Sequence, residues 1–420
     1  MKADFPAVGS AWPELKARMT ELKSRDWDVY SGRLPLHSYF AGTDVLRIAE
    51  EAFMMFAHQN QLALNTFPSL DSMESDVVAM VCDLFHGSSH ATGSMTSGGS
   101  ESIILALKAA RDRARATRGI EHCTDLNIVI PASAHPAFDK GAHLLGLRVV
   151  RVALDSELSC CVSAMVDAID GQTILLAGSM PSLPFGSVDP LDRIARLAAQ
   201  RGIWCHVDAC IGGLVAPFAA ELGYDVPAFD FSIPGVTSIS TDLHKFGYAM
   251  KGASLILYAD ERDFRYQPLA FRDWPKGLYQ TPTLLGSRSG GPVAAAWAVI
   301  RHLGRHGYLK LTQRLMTLRD AYLARFAELD ELSVLGSPPL SVFAMGSPTL
   351  DIFALAARMR ELGWHMSLVA EPLAFQQTLS LVHEPVMEQY FRDLRDAIAA
   401  QRDPLRASVD LKPRWEVTTY

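Results

Sequence analysis

Short apolar segments alternate with helical stretches between residues 127 and 258, and this alternation restricts the fold more than any other feature of the chain. Runs such as Asn127–Ile130, Thr173–Ala177 and Ile203–Val207 are too short for helices and are predicted to be buried strands. Amphipathic stretches at Ala137–Leu145 and Leu191–Arg201 separate them. This order is typical of a mainly parallel sheet that is covered by helices on both faces. We therefore predict an α/β protein.

The same patterns predict how the rest of the chain is organised. Further elements are expected at Asp71–Phe85 and Glu101–Arg118 (helices) and at Arg148–Val152 and Ser254–Tyr258 (strands). Beyond about residue 305 the pattern changes to long helices and two or three strands, which indicates a smaller α+β unit. The predicted division is an N-terminal helical segment at 1–65, a large domain at 66–304 and a small C-terminal domain at 305–420.

Composition narrows the class of protein. Hydrophobic residues make up 49% of the chain and charged residues 20%, which excludes a disordered protein. The formal net charge of −7 argues against binding to nucleic acid or to an anionic membrane. No apolar run approaches the roughly 20 residues of a membrane-spanning helix, and the first residues lack the apolar region of a signal peptide. The six cysteines include no CxxC metal pair. We expect a soluble cytoplasmic enzyme with reduced thiols and no metal.

Two residues in the sheet region predict the chemistry. Lys245 directly follows His244 and leads to Gly247, after a segment that reads as the end of a strand. Asp208 lies just past a predicted strand, where open α/β sheets place their ligands. A lysine that forms a Schiff base and a carboxylate that holds a pyridinium nitrogen are the protein's part of pyridoxal-phosphate chemistry. The pair therefore predicts pyridoxal 5′-phosphate as the cofactor.

A glycine-containing turn upstream suits the phosphate of such a cofactor. In the run Thr96–Ser102, Gly98 and Gly99 allow a close approach of the backbone, and Ser100 stands at the start of a predicted helix. Helix N-termini bind anions through free amide groups and the helix dipole. The alternative is an ordinary serine N-cap with glycine in the preceding turn. The presence of Lys245 and Asp208 favours the phosphate site.

Four other side chains allow two interpretations each. His135 could stack on the pyridine ring, or it could only share hydrogen bonds with the loop that starts a helix. His244 could reach the phosphate or satisfy a backbone carbonyl. Cys210 could form a pocket wall or be a buried, inert thiol. Lys251 could be a second active-site cation that helps to keep Lys245 neutral, or a solvated lysine.

Several sequence runs resemble those of the sphingosine-1-phosphate lyase family, within the group II pyridoxal-phosphate decarboxylase-like enzymes of fold type I. The resemblance extends from about Gly32 to about His383. The Asp-Ala-Cys-Ile-Gly-Gly run and the Gly-Tyr-x-x-Lys-Gly tail are closer to the lyases than to the amino-acid decarboxylases. The matching runs are 95–102, 134–140, 206–213, 235–248, 251–252 and 286–288.

The resemblance implies a fold and a role for each matching residue. The fold is a large domain with a seven-stranded, mainly parallel sheet, and a small C-terminal domain. Lys245 would bind the cofactor covalently, Asp208 would hold the pyridinium nitrogen and His135 would stack on the ring. The phosphate would be held by Gly98, Gly99, Ser100 and His244.

The resemblance also implies a homodimer with shared active sites, because Gly286 and Ser287 would reach the cofactor of the neighbouring subunit. Tyr39 and Asn60 match positions at the substrate entrance. The family usually has a histidine where this chain has Ala63, whereas His37 stands where the family has a small residue. Together with Tyr39 and Lys251, His37 is a candidate for the missing phosphate donor; the alternative is a solvated loop residue.

The activity implied by the resemblance is cleavage of the Cα–Cβ bond of a phosphorylated sphingoid base, which gives a fatty aldehyde and phosphoethanolamine. An amino-acid decarboxylase would use the same cofactor with a different bond held perpendicular to its plane. A catalytically idle binding protein is a third possibility. Intact Lys245 and Asp208 argue against it, since such a protein has no chemical need for either residue.

Overall fold

The computed structural model describes residues 5–36, 38–62, 65–119, 123 and 125–402. Three helices come first: α1 (Trp12–Lys23), α2 (Thr43–Met55) and α3 (Pro68–Leu84). Helix α1 buries none of its side chains, whereas α3 turns Val77, Val78 and Val81 into the core. The predicted start at Asp71 was three residues late, because Pro68 occupies the first helical position, which does not require an N–H donor.

A seven-stranded sheet follows, as predicted. Its strands are β1 (Thr92–Thr96), β2 (Asn127–Pro131), β3 (Arg148–Val152), β4 (Thr173–Ser179), β5 (Trp204–Asp208), β6 (Ser238–Thr241) and β7 (Ser254–Tyr258). Their order across the sheet is β1-β7-β6-β5-β4-β2-β3, and only β7 pairs antiparallel to its neighbours. The neighbouring pairs from β6 to β3 are all parallel. The carboxyl ends of β4, β5 and β6 therefore lie together at one edge.

Helices cover both faces of this sheet. They are α4 (Gly99–Arg118), α5 (Ala137–Leu145), α6 (Val162–Ala168), α7 (Leu191–Arg201), α8 (Ala216–Glu221), α9 (Glu261–Phe264) and α10 (Gly291–Phe326). Successive side chains of a strand point to opposite faces. Accordingly, Ile128 and Ile130 pack in one buried cluster with α4 and α5, whereas Val129 packs in the other, with α7.

The C-terminal part contains a second sheet. Its four strands are β10 (Ser333–Val334), β11 (Val342–Gly346), β12 (Ser367–Val369) and β13 (Ala374–Thr378), in the order β10-β11-β13-β12 and antiparallel throughout. It is accompanied by α11 (Ile352–Glu361), a 3₁₀ helix (Leu381–Val386) and α12 (Met387–Arg402). Helix α10 runs across the predicted domain boundary at 304/305, with a break at Gly304, where φ is 54°. The division into domains stays a prediction.

A separate two-stranded β-hairpin follows α9 in the chain. It consists of β8 (Leu269–Phe271) and β9 (Tyr279–Thr281), which pair antiparallel. Several large apolar side chains on and after it are exposed to solvent: Leu269, Phe271, Trp274, Leu278, Leu284 and Leu285. The sequence patterns did not reveal this hairpin, since each strand has only three residues. Exposed apolar groups of this kind are typical of surfaces that contact another molecule.

The expectations from composition can be compared with the structure. All six cysteines are free thiols, in agreement with the prediction of reduced cysteines. Within the described ranges, no helix has the length and apolar character needed to cross a membrane. No group of three or more His, Cys, Asp or Glu side chains in these ranges could hold a metal ion.

Candidate active site

A cavity of about 490 Å³ lies where the carboxyl ends of the parallel strands meet the N-terminus of α4. Its lining includes all the predicted cofactor residues at 98–100, 135, 208, 244 and 245, together with Lys251. These residues come from five separate segments of the chain. The strand order brings them together, because β4, β5 and β6 are adjacent and point the same way.

The turn between β1 and α4 forms one end of the cavity. Gly98 is extended at φ 164°, and α4 begins at Gly99 without a side-chain cap. A Cβ atom at Gly99 would lie 2.6 Å from Sγ of Cys210 and 3.0 Å from Oδ1 of Asp242, so only glycine fits there. The uncapped amide groups of a 20-residue helix therefore face the cavity, which suits an anion.

Glu101 fixes the shape of this turn. Its Oε2 accepts hydrogen bonds from the backbone N–H and from Oγ of Ser97, at 2.7 and 2.6 Å. Its Oε1 accepts a hydrogen bond of 2.9 Å from the backbone N–H of Leu284, in the segment that follows the β8–β9 hairpin. The buried carboxylate thus connects the turn to the segment that leads to Gly286 and Ser287.

Asp208 is the last residue of β5, not the first residue after it as predicted, because its pairing with β6 extends to Ser240. Its carboxylate is buried at the cavity wall. Oδ1 accepts hydrogen bonds from the backbone N–H of Cys210 (3.1 Å) and from Oγ of Ser240 (3.3 Å). Both donors bind Oδ1, which orients the carboxylate and leaves Oδ2 for a ligand.

A buried polar chain continues behind Asp208. Ser240 also contacts Nε2 of His206 at 3.2 Å, and Nδ1 of His206 contacts Oγ of Ser238 at 2.8 Å. Trp204 donates its indole N–H to the same Ser238 oxygen at 2.8 Å. Burial lowers the pKa of His206 to about 4, although Asp208 works in the opposite direction. His206 is therefore neutral at pH 7.

His135 lies on the cavity wall in the loop after β2. Its Nδ1 accepts a hydrogen bond of 3.1 Å from the backbone N–H of Ala137, the first residue of α5, in agreement with the interpretation that it shares hydrogen bonds with the loop that starts a helix. Burial lowers its pKa, with the charges of Lys245 and Arg151 acting in the same direction and those of Asp208 and Asp242 opposing them. A neutral imidazole at the cavity wall suits stacking against an aromatic ring, so the two interpretations are compatible.

Arg151 holds the loop that carries His135. From the end of β3 its guanidinium donates to the carbonyl oxygens of Pro131 (3.2 Å), Ala132 (2.9 Å) and Ala134 (3.1 Å). It also pairs with Asp139 at 2.5 Å. One side chain thus satisfies three carbonyl oxygens of the segment that leads to His135.

Lys245 lies on the turn that follows β6 and lines the cavity. Its Nζ is 3.0 Å from Oδ2 of Asp242. Burial alone would lower the pKa of Lys245, but the carboxylate of Asp242, with smaller contributions from Tyr39, Cys210 and Asp208, raises it. The charge nearest to the free amine is therefore an anion, and the effect of Lys251 on Lys245 stays a prediction.

His244 precedes Lys245 and makes two contacts. Its Nδ1 donates a hydrogen bond of 2.7 Å to the carbonyl oxygen of Ala253. Its Nε2 is 3.7 Å from Oδ2 of Asp242, and its Cε1 would lie 3.9 Å from a Cβ atom at Gly98. The backbone contact fixes the ring, and the opposite edge faces the glycine turn.

Lys251 and Tyr39 adjoin the cavity. The Nζ atom of Lys251 lies 5.1 Å from the centre of the Tyr39 ring, in a cation–π contact. The Tyr39 ring in turn packs edge to face on Phe246, with ring centres 5.0 Å apart. Partial desolvation and the charge of Lys245 lower the pKa of Lys251.

Three predicted site residues form a separate group. Nδ2 of Asn60 donates to Oγ of Ser287 at 2.9 Å, and Oδ1 of Asn60 accepts from the backbone N–H of Arg288 at 3.4 Å. Among the residues that the structure describes, the cavity lining does not include Asn60, Gly286 or Ser287. His37 and Ala63 lie outside the described residues.

The residues that line the cavity fit pyridoxal 5′-phosphate. A helix N-terminus for a phosphate, an amine for a carbonyl carbon and a carboxylate with one oriented oxygen for a ring nitrogen all face one space of suitable size. The crowding around Gly99 shows that the backbone there is built for close approach.

Sequence reasoning missed three side chains that shape the site: Asp242, Glu101 and Arg151. Asp242 could have been found, because it lies three residues before Lys245 and a turn of that length brings the two side chains to one side. Glu101 lies within the turn that matches the family, but nothing in the sequence indicated its hydrogen bond with Leu284. No sequence pattern indicated Arg151, because its role depends on which loop lies beside the end of β3.

Comparison with known proteins agrees with this geometry. A family model described as the pyridoxal-dependent decarboxylase conserved domain matches residues 31–338. The chain is 39% identical over 405 residues to a sphingosine-1-phosphate lyase of Arabidopsis thaliana, covering 94% of this chain and 74% of the relative. It is 37% identical to sphingosine-1-phosphate lyase 1 of Rattus norvegicus, covering 94% and 69%.

Solved structures agree as well. The sphingosine-1-phosphate lyase of Burkholderia pseudomallei superposes with a TM-score of 0.90 at 37% identity, covering 97% of this chain and 95% of that chain. A glutamate decarboxylase of Lactobacillus brevis superposes with a TM-score of 0.82 at 19% identity, covering 95% of each chain, which shows a shared fold. The fold and the cavity define a pyridoxal-phosphate enzyme of fold type I. The chain belongs to the pyridoxal-dependent decarboxylase family and, within it, to the sphingosine-1-phosphate lyases.

Proposed function

We propose that this protein is a carbon–carbon lyase that cleaves phosphorylated sphingoid bases into a fatty aldehyde and phosphoethanolamine. Its cofactor is pyridoxal 5′-phosphate. The observation that carries the proposal is the arrangement of one cavity in which Lys245, Asp208 and the N-terminus of α4 converge, with a second cation, Lys251, on its wall. A decarboxylase of this fold has no need for a second phosphate site.

Each cavity residue has a proposed task. The amine of Lys245 would bind the cofactor's carbonyl carbon, Oδ2 of Asp208 would hold its protonated ring nitrogen and His135 would pack on its ring. The backbone of Gly98, Gly99 and Ser100 would bind its phosphate together with His244. When bound, the cofactor supplies an acceptor for the electron pair of the Cα–Cβ bond that breaks.

Recognition of the substrate's own phosphate falls to the cavity mouth. Lys251 provides a cation there, and the Tyr39 ring beneath it fixes the position of the ammonium group. A charge-assisted contact between an ammonium group and a phosphate contributes roughly 1.5–3 kcal/mol. His37 remains a predicted additional donor.

We further propose a homodimer with shared active sites. The support is the position of Ser287, which is hydrogen-bonded to Asn60, and of the adjacent Gly286, because the described lining of the cavity in their own subunit includes neither. The exposed apolar side chains of the β8–β9 hairpin lie just before this turn in the chain. A second copy would cover them and receive the turn at its own cavity.

A paired assay tests the activity. Purified protein is incubated with a phosphorylated sphingoid base and, separately, with amino acids, and the release of fatty aldehyde and of carbon dioxide is measured. We expect aldehyde from the wild type and none from Lys245→Ala, and borohydride should fix the cofactor to the wild type but not to this variant. Carbon dioxide without aldehyde would refute the lyase.

The dimer is tested by light scattering and by mixing inactive variants. Lys245→Ala damages the site of its own subunit, whereas Ser287→Trp would damage that of the neighbour. Heterodimers of the two should therefore regain about one intact site. A fully active monomer would rule out sharing.

A further inference from the structure

Asp242 is a carboxylate in the cavity wall whose task the proposed function leaves open. It follows β6 directly, and only 4% of its surface is exposed. Its Oδ2 lies 3.0 Å from Nζ of Lys245 and 3.7 Å from Nε2 of His244. A lysine and a histidine of the site therefore face one oxygen of a buried anion.

The surroundings of Oδ1, the other carboxylate oxygen, show that the buried charge of Asp242 depends on Lys245 for its stabilisation. Oδ1 is buried and has no hydrogen-bond partner among the described residues. A Cβ atom at Gly99 would lie 3.0 Å from it, so the glycine turn closes over this side. A buried carboxylate is strongly unfavourable unless it is paired. The 3.0 Å contact to Lys245 is the shortest pairing that Asp242 makes with a charged group.

Charged and titratable groups surround Lys245 on every side. Asp208 and Cys210 face it from the end of β5, and Tyr39 from the N-terminal segment. His135, in the loop after β2, and His244 and Lys251, in the segment after β6, also interact electrostatically with Lys245. Burial raises the pKa of Asp242 and lowers that of Lys245 when each is taken alone, yet their mutual attraction reverses both directions.

We propose that Asp242 is a positioning residue that anchors the ε-ammonium group of Lys245 and stabilises the proton there whenever this amine is free. This inference rests on the proposed function. Cleavage removes the proton of the substrate's 3-hydroxyl and returns one proton to the carbon that becomes part of phosphoethanolamine. In the first transfer an O–H bond breaks and an N–H bond forms at Nζ of Lys245. In the second transfer that N–H bond breaks and a C–H bond forms. Asp242 stabilises the ammonium group between the two.

The test measures the protonation of Lys245 directly. Cofactor is removed from the full-length protein with hydroxylamine, and acetic anhydride is added in brief pulses between pH 6 and 11. Mass spectrometry then gives the labelling rate of Lys245, with the exposed Lys140 as internal reference. Because only the neutral amine reacts, the pH dependence of the rate reports the pKa.

Asp242→Asn keeps the shape of the side chain and removes its charge. An opposite charge at this distance changes a pKa by about one to three, so labelling of Lys245 at pH 8 should become roughly 10- to 1000-fold faster. The control is Asp230→Asn, which alters another buried carboxylate whose partners are His86 and Ser232. It should leave the labelling of Lys245 unchanged. Equal rates in Asp242→Asn and wild type would overturn the proposal.

Two further measurements keep the outcome decisive. Asp242→Ser removes the charge with a smaller side chain and should accelerate labelling in the same way, if the asparagine variant does not fold. If neither folds, the wild type decides: a titration midpoint of Lys245 at or below that of Lys140 overturns the anchor. In the holoenzyme, Asp242→Asn should move the pH profile of kcat more than that of KM. If Lys245 is labelled faster in Asp242→Asn but the wild type releases no aldehyde, the proposed function is refuted and the role of Asp242 as an anchor for Lys245 is retained.

Discussion

Replacement of Arg151 by alanine should weaken cofactor binding, although Arg151 acts only through the loop that carries His135. The guanidinium holds the carbonyl oxygens of Pro131, Ala132 and Ala134, and the next residue in the chain is His135. Without these donors, the loop loses three charge-assisted hydrogen bonds that hold it beside the cavity. The imidazole would then no longer keep its place on the wall.

The size of the effect follows from the number of lost contacts. Three carbonyl oxygens lose a charged donor, and each such hydrogen bond contributes about 1.5–3 kcal/mol when it is buried. The side chain of Arg151 is 30% exposed, so water can replace part of this. We therefore expect a net loss of about 2–3 kcal/mol of free energy that stabilises the loop. If it appears as loss of loop order, cofactor binding weakens by roughly 30- to 150-fold.

The assay is a titration of pyridoxal 5′-phosphate into the cofactor-free, full-length protein, followed by absorbance, with visible circular dichroism to report the asymmetry around the bound ring. Arg148→Ala is the matched control, because Arg148 is on the same strand and pairs, among the described residues, with the surface carboxylates of Asp125 and Asp170. Exposed pairs of this kind contribute about 0–1 kcal/mol. Arg151→Lys should be intermediate, since an ammonium group cannot reach all three carbonyls.

The reasoning about the loop is wrong if Arg151→Ala binds the cofactor as tightly as Arg148→Ala and shows the same circular dichroism. An equal loss in both variants would point instead to a general effect of removing charge from β3. A loss confined to Arg151→Ala, with partial recovery in Arg151→Lys, is the expected outcome.

Three further predictions concern the cavity wall. Gly99→Ala places a methyl group 2.6 Å from Sγ of Cys210 and should weaken cofactor binding at least about tenfold in the same titration; a Kd within twofold of wild type would contradict it. Ser240→Ala removes a hydrogen bond to Asp208 and should lower the free energy of unfolding by about 1 kcal/mol, with an altered absorbance of the bound cofactor; unchanged spectra would show that Ser240 does not affect Asp208. The pKa of His206 falls from 6.5 in the unfolded chain to about 4 in the folded protein. At a pH between 6.5 and about 4, the unfolded chain therefore binds a proton that the folded protein does not bind, and the free energy of unfolding falls as the pH falls. His206→Gln should therefore remove about 2 kcal/mol of the difference in unfolding free energy between pH 7 and pH 4.5, measured with denaturant, and an unchanged difference would refute a neutral, buried imidazole.

Much of the fold could be predicted because it depends on local patterns. The helices at Ala137–Leu145 and Leu191–Arg201 and the strands at Arg148–Val152 and Ser254–Tyr258 have the predicted bounds. Their apolar residues repeat with the period of the helix or strand, so a window of about ten residues is enough to predict the element. The β8–β9 hairpin was missed, since three-residue strands carry too few residues for a period to show.

The sequence by itself also placed the chemistry of the site. Lys245, Asp208 and the glycine turn each follow or precede a strand, and the ends of parallel strands meet at one edge of a sheet. Their residue types were sufficient to indicate the cofactor. The roles of Gly286 and Ser287 remain predictions, because they concern a second subunit.

Only the tertiary structure decided which charges meet. The pairing of Asp242 with Lys245, the double contact of Glu101 with Ser97 and Leu284, and the hold of Arg151 on the His135 loop depend on distances between side chains. Two of these three connect residues that are far apart in the chain or lie on different elements. Local patterns fix the period of an element, whereas strand order and register fix which side chains face each other across a cavity. An electrostatic interaction depends on that distance and on burial, and neither is encoded within a short window of sequence.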